Sequence, residues 1–233
     1  MFRRGRGIGA HHLHTPFTAY EGSLRPVLAP LIAPGRRVAI LKRAQRALLA
    51  SRNAHKLGEL AAALPDWEIG LLEARDYPAE EGESYYENAR LKARFARAVA
   101  EADGWVLGED SGLEVAGLGG RPGLRSARYA DAGEDANAKL LRELEGVGDR
   151  GRRARYVCEL VGISPDGQEV RGTGVLEGSI AVEPRGSQGF GYDPVFVPDG
   201  EECTVAELGD AWKQRSSHRA RAAEALGRRV REL

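Results

Sequence analysis

Two long alternating runs, ARYVCELVGIS (154–164) and EVRGTGVLEGSIAV (169–182), are separated only by Pro-Asp-Gly-Gln. Alternation at period two marks strands with two differently solvated faces, and Pro-Asp-Gly is turn chemistry, so the pair predicts an antiparallel hairpin. Upstream the period changes. RALLAS (46–51) is an apolar run of strand length, and behind it Leu57, Leu60, Ala61 and Leu64 recur at helical spacing until Pro65 stops them. DWEIGLL (66–72) reads as a second strand and WVLGED (105–110) as a buried one that ends in two acids. Between them Pro78 and Gly82 mark a loop, and a long helix runs from Ser84 to about residue 101 with apolar positions Tyr85, Ala89, Leu91, Phe95, Ala98 and Val99. Ser84 followed by Glu87 is a capping-box pattern. A helix around 134–147, a short one near TVAELG and a final amphipathic one from Ser217 complete the reading. Strand-helix alternation followed by a hairpin predicts an α/β protein with a mixed sheet flanked by helices.

Charge and cysteine use narrow the function. The chain has 34 basic and 34 acidic residues, but residues 1–46 hold nine of the basic ones against Glu21 alone. The body is therefore acidic, with 25 Lys and Arg against 33 Asp and Glu, which argues against nucleic-acid binding, where a basic face is the footprint. No apolar run approaches the roughly 20 residues of a membrane helix. Cys158 and Cys203 stand far apart without metal-ligand spacing, as two free thiols in a reducing, cytoplasmic setting. Residues 1–45, rich in Pro and Gly and lacking a secretory h-region, read as a poorly packed extension in which His11, His12 and His14 belong to a solvated tail. Residues 46–233 then form the one folded domain.

Five stretches carry chemistry. SRNAHK (51–56) puts a hydroxyl, an amide, a helix N-terminus and a lysine at one strand-to-helix turn; this suits a phosphate, and an ordinary Asn cap explains it as well. Asn88 and Lys92 lie one turn apart, on either a solvated face or a site, and Glu80, Glu81 and Glu83 either cap the helix or meet a hard cation. Glu109 and Asp110 end a strand, and Ser111-Gly112 supplies the turn that lets both carboxylates reach one place. Carboxylates at the C-terminal ends of α/β strands lie where ligands bind, and one or two of them plus phosphates suit Mg²⁺. SQGFGYDP (187–194) sets Phe190 and Tyr192 between glycines as stacking surfaces, and KQRSSHRAR (213–221) adds Lys213, His218 and Arg219 as donors.

In order, LLASRNAHKLGEL, YYENARLKA, GEDSGL with GLGGRPGLRSARYA, GFGYDPVF and SHRARA resemble the signature blocks of the inosine triphosphate pyrophosphatase family, over roughly residue 46 to the C-terminus. That resemblance implies an elongated two-lobed domain with a central active-site cleft. It also implies a homodimer that cleaves inosine and xanthosine triphosphates, ribo or deoxy, between the α and β phosphates with Mg²⁺. Carried over by motif, Ser51, Arg52, Asn53, Ala54, His55 and Lys56 bind the phosphates together with Ser111, and Lys92 assists. Asp110 is the proton acceptor and a metal carboxylate, beside Glu109 and with Glu80 placed better than Glu81. Phe190, Gly191, Tyr192 and Asp193 line the base pocket, and Lys213, His218 and Arg219 read the base edge.

This chain departs from the family pattern at several positions. Ser51-Arg52-Asn53 stands where Thr-Gly-Asn is usual, Glu109 where Asp is usual, and Asp131-Ala132 intervene before Gly133. Ser126 and Arg128 receive no role. Two rival readings are a Maf-type nucleotide pyrophosphatase, which lacks GFGYDP and SHR, and a nucleotide-binding regulator without catalysis, against which Asp110, Lys56 and Lys92 speak.

Overall fold

The structure, a computed structural model, describes residues 44–100 and 103–233. The expectations for the N-terminal extension, its three histidines included, lie outside the described residues except at its last two positions, where Gln45 already belongs to the first strand.

Strands β1 (Gln45–Leu49), β2 (Trp67–Leu71), β3 (Trp105–Val115), β4 (Arg153–Ile163), β5 (Glu169–Ile180) and β6 (Phe196–Pro198) form one sheet in the order β2-β1-β3-β4-β5-β6. β1 runs parallel to β2 and β3, while β3, β4, β5 and β6 pair antiparallel. The sheet is mixed, as the change of period implies. The helices are α1 (Ala54–Ala63), α2 (Tyr85–Val99), α3 (Ala136–Glu143), α4 (Asp149–Arg152), α5 (Val205–Leu208), α6 (Asp210–Ser216) and α7 (His218–Arg231). Short 3₁₀ helices occupy Ala116–Leu118 and Gly123–Arg128.

One face of the sheet packs Leu49, Leu107 and Leu160 against Leu60 and Leu64 from α1 and Ala222, Ala223 and Leu226 from α7. The other packs Val106, Val161 and Ile163 against Ala89, Ala93 and Ala96 of α2. A third cluster, with Leu113, Tyr156, Leu176 and Phe196, joins Leu140 and Leu144 at the far end of the sheet. Each fully buried leucine contributes about 1.5–3 kcal/mol. Two glycines set how closely helices approach. A Cβ at Gly108 would collide with the Ala89 carbonyl oxygen of α2, and one at Gly174 with the His218 carbonyl oxygen of α7.

Three expectations are corrected. β3 does not end at Asp110 but continues to Val115, because Ser111 and Gly112 pair with Cys158 and Val157 of β4 and the ladder overrides their turn preference. On α2, Leu91 and Val99 are exposed, and the buried face is Tyr85, Asn88, Ala89, Lys92, Ala93 and Ala96. The small alanines let the helix backbone lie against β3, which carries the polar residues of that face inward. Finally, Lys213 sits on its own helix, α6, rather than at the start of α7. At the head of α2 the Ser84 hydroxyl accepts from the Glu87 N–H, but the Glu87 carboxylate reaches back to the Glu83 N–H rather than to Ser84.

Candidate active site

The parallel pairing of β1 with β3 stops at Leu49 opposite Leu107, and the β1 side of β3 is next engaged at Leu113 and Glu114, by Ser126 and Pro122, which leaves residues 108–112 without a strand partner on that side among the described residues. The site is built around this opening. Successive strand residues point to opposite faces, so the acid pair is divided between them. Asp110 faces α2, where Asn88 donates to its Oδ2 at 3.1 Å and Lys92 Nζ donates to its Oδ1 at 3.1 Å and to the Glu109 carbonyl at 3.0 Å. Lys92 also pairs with Glu80, and Asn88 Oδ1 accepts from the Gly82 N–H at 2.8 Å, tying the loop before α2 to the site. Burial pushes the Asp110 carboxyl up, against Lys92 and with help from the Glu109 and Glu80 charges. For Glu80, burial works against the charged form, but Lys92 prevails and holds the carboxyl low.

Glu109, fully buried, faces α1 and α7. Lys56 pairs with its Oε2 at 2.6 Å, while Arg219 Nε and the Cys158 thiol donate to its Oε1 at 3.1 and 3.5 Å. Burial opposes its ionisation, yet the Lys56, Arg219 and Lys92 charges outweigh burial and hold the carboxyl well below the ordinary range. Of the three acids expected at one metal, Glu109 stands apart: its side chain lies across the strand from those of Asp110 and Glu80 and is paired with Lys56 and Arg219.

Asp110 and Glu80 do converge, on the Lys92 ammonium. Two carboxylates around one positive charge fit a hard cation that takes its remaining ligands from water and phosphate. Among the described residues no cluster of three His, Cys, Asp or Glu side chains stands ready to enclose a metal.

The 51–56 turn, expected to bind phosphate, is an N-cap. Asn53 Oδ1 accepts from His55 N at 2.9 Å and Lys56 N at 3.3 Å, and the Ser51 hydroxyl accepts from Asn53 N at 3.1 Å. Arg52 turns away to stack on Tyr77, 5.0 Å from the ring centroid, and donates to the Arg75 carbonyl. His55 stacks on Phe190 with centroids 5.0 Å apart, so the turn and the aromatic loop touch.

A cavity of about 170 Å³ is lined by Asn53, Lys56, Ser111, Phe190, Gly191, Tyr192, Asp193, Lys213, His218 and Arg219 among others. Asp193 Oδ2 accepts from the Phe190 N–H at 2.8 Å and from Lys213 Nζ at 2.5 Å, which fixes the loop. Lys213 lies 4.0 Å from the Phe190 ring centroid. Tyr192 is buried and its hydroxyl donates to the Ser126 carbonyl at 2.8 Å, so it clamps two loops rather than offering a free ring. Lys213 and Arg219 are less free than the sequence implied. Glu59 pairs with both, Lys213 at 2.7 Å and Arg219 at 2.5 Å, and Arg219 also donates to Ser111 Oγ at 3.0 Å. His218 stacks flat on Tyr156 at 4.5 Å, and its Nδ1 is buried with no hydrogen-bond partner among the described residues. Burial and the nearby Arg219 charge hold His218 well below the ordinary imidazole range, so the ring is neutral.

Sequence reasoning missed Glu59 and Tyr156. Glu59 sits on the same helix face as His55 and Lys56, one turn on, which is the only signal it gave. Tyr156 was hidden in the alternation of β4.

Residues 47–229 match the Ham1 family. A dITP/XTP pyrophosphatase of Bdellovibrio bacteriovorus is 42% identical over 187 residues, which cover 76% of this chain and 94% of the relative. One from Deinococcus radiodurans is 42% identical, covering 78% and 91%. Among solved structures, a HAM1 protein from Coxiella burnetii matches with a TM-score of 0.70 at 35% identity, covering 81% of this chain and all of that one.

Proposed function

The chain belongs to the Ham1 family, and from that premise we propose that it hydrolyses the triphosphates of deaminated purines, ITP, dITP and XTP, to the monophosphate and pyrophosphate. The observation that carries this reading is one cavity shared by the Phe190 ring, His218, whose Nδ1 has no hydrogen-bond partner among the described residues, and Asn53 and Lys56 of the turn. A planar base stacks on Phe190, and a neutral His218 in its Nδ1–H form donates to a carbonyl at purine C6. Adenine presents an amino group there, donor against donor, and leaves a buried polar group unpaired, which rejects it by several orders of magnitude in sites built this way. Guanine shares the carbonyl, so it must be rejected at the 2-position.

Lys56 and Lys92 bring ammonium groups to the phosphates, each oriented by a buried carboxylate. Asp110, pushed up by burial, takes a proton from water as the water oxygen bonds to the α phosphorus and the bond to the bridging oxygen breaks, releasing pyrophosphate. Asn88 and Lys92 hold the Asp110 oxygens in place for that transfer. Asp110 and Glu80 would hold Mg²⁺, which neutralises phosphate charge when bound. A cytoplasmic homodimer acting on the free nucleotide pool, through a domain starting near residue 46, completes the proposal.

Replacement of Asp110 by Asn tests it. Turnover of inosine triphosphate should fall by about 10² to 10⁴ while its equilibrium binding persists; near-normal turnover would overturn the assignment.

A further inference from the structure

An open cavity of about 740 Å³ on the phosphate side is lined by residues 50–56, 77–80, Lys92, Ala127 and Arg128. Its charged side chains are Arg52, Lys56, Lys92 and Arg128, against Glu80. Three of the cations are committed: Lys56 to Glu109 at 2.6 Å, Lys92 to Asp110 and Glu80, and Arg52 to Tyr77 and the Arg75 carbonyl. Arg128 differs. Its side chain is 61% exposed, and its one ion pair among the described residues is a 3.6 Å approach to Glu80 Oε2, beyond hydrogen-bond distance.

The backbone that carries Arg128 is nevertheless fixed. It ends the 3₁₀ helix Gly123–Arg128, in which the Ser126 hydroxyl accepts from Leu113 N of β3 at 2.8 Å and donates to the Gly123 carbonyl at 2.6 Å. The Ser126 carbonyl accepts from the Tyr192 hydroxyl at 2.8 Å, which ties the same turn to the loop bearing Phe190. A cation with uncommitted donors thus stands on an anchored base, at the rim of a cavity whose other cations are already paired.

We infer that Arg128 grips the β and γ phosphates of the bound triphosphate, the pair that leaves as pyrophosphate; this rests on the nucleotide pyrophosphatase reading above. The guanidinium fork presents its N–H groups in the geometry of phosphate oxygens, which an ammonium does not. Entry of the phosphates exchanges the long contact to Glu80 for charge-assisted hydrogen bonds and leaves Glu80 to Lys92. The same contacts make Arg128 a determinant of phosphate-chain length, favouring triphosphate over monophosphate independently of the base.

Binding of two separate probes, inorganic pyrophosphate and inosine monophosphate, to the wild-type chain, Arg128→Gln and Arg128→Lys tests this by calorimetry, with thermal melts confirming folding. Pyrophosphate should bind Arg128→Gln about 10- to 100-fold more weakly, with Arg128→Lys in between and monophosphate affinity unchanged. Unchanged pyrophosphate affinity in Arg128→Gln overturns the inference alone. Equal loss of both probes overturns it too, since it shows a general disturbance of the site. A wild-type chain that binds neither probe overturns the underlying functional reading as well.

Discussion

Glu109→Gln tests whether this carboxylate serves the Lys56 and Arg219 side chains rather than a metal ion. In the structure the fully buried Glu109 lies 2.6 Å from Lys56 and 3.1 Å from Arg219. Removing one partner of a buried ion pair costs about 3–5 kcal/mol, because the remaining charge is left without compensation. Arg219 keeps Glu59 and Ser111, and Lys56 is partly exposed, so the loss falls at the low end, about 3 kcal/mol. In a domain of this size that lowers the melting temperature by roughly 6–12 °C. Urea unfolding of both proteins measures it directly. Because the folded-state carboxyl lies well below its unfolded value, near 4.3, its contribution is fully present above that value and disappears as pH falls through the folded one. The stability gap should therefore be constant across neutral pH and narrow only in acid. The Mg²⁺ concentration giving half-maximal activity should be unchanged in Glu109→Gln and raised in Glu80→Gln. A gap below about 1 kcal/mol, or a raised Mg²⁺ requirement in Glu109→Gln, would refute the reasoning.

Gly174→Ala places a methyl group against the His218 carbonyl at the start of α7. It should cost about 1–3 kcal/mol in urea unfolding and raise KM for inosine triphosphate by displacing His218 and Arg219; unchanged stability and KM would show that α7 is free to shift. Deletion of residues 1–44 should leave turnover nearly intact, and a roughly tenfold or greater fall, equivalent to about 1.4 kcal/mol of barrier, would give the N-terminal segment a catalytic role.

Patterns that depend on local chemistry were legible in the sequence. The β4–β5 hairpin, its turn, α1 behind β1, and the Ser84 and Ser217 caps all stand where periodicity and capping residues put them. Features decided by a neighbour were not. Ser111 and Gly112 read as a turn because their local preference is strong, but β4 supplies a ladder that overrides it. The strongest apolar residues of α2, Leu91 and Val99, pointed to the wrong face, since only the close approach of β3 shows that a stripe of alanines is the better packing surface. Asn88 and Lys92 lie on that alanine face, which is why spacing alone left them balanced between solvent and site. The division of Glu109 from Asp110 follows from the ladder that continues β3 through Ser111 and Gly112, because a strand that continues sends adjacent side chains to opposite faces. Glu59 carries no motif; its importance lies in meeting Lys213 and Arg219, which come from two helices about 150 residues further along the chain.

Pyrophosphate release from a panel of triphosphates in the presence of Mg²⁺ tests the central claim most directly. Inosine, deoxyinosine and xanthosine triphosphates should be turned over orders of magnitude faster, in kcat/KM, than ATP, GTP and the pyrimidine triphosphates. Equal turnover across the panel would contradict a site in which a neutral His218 reads the purine edge against Phe190.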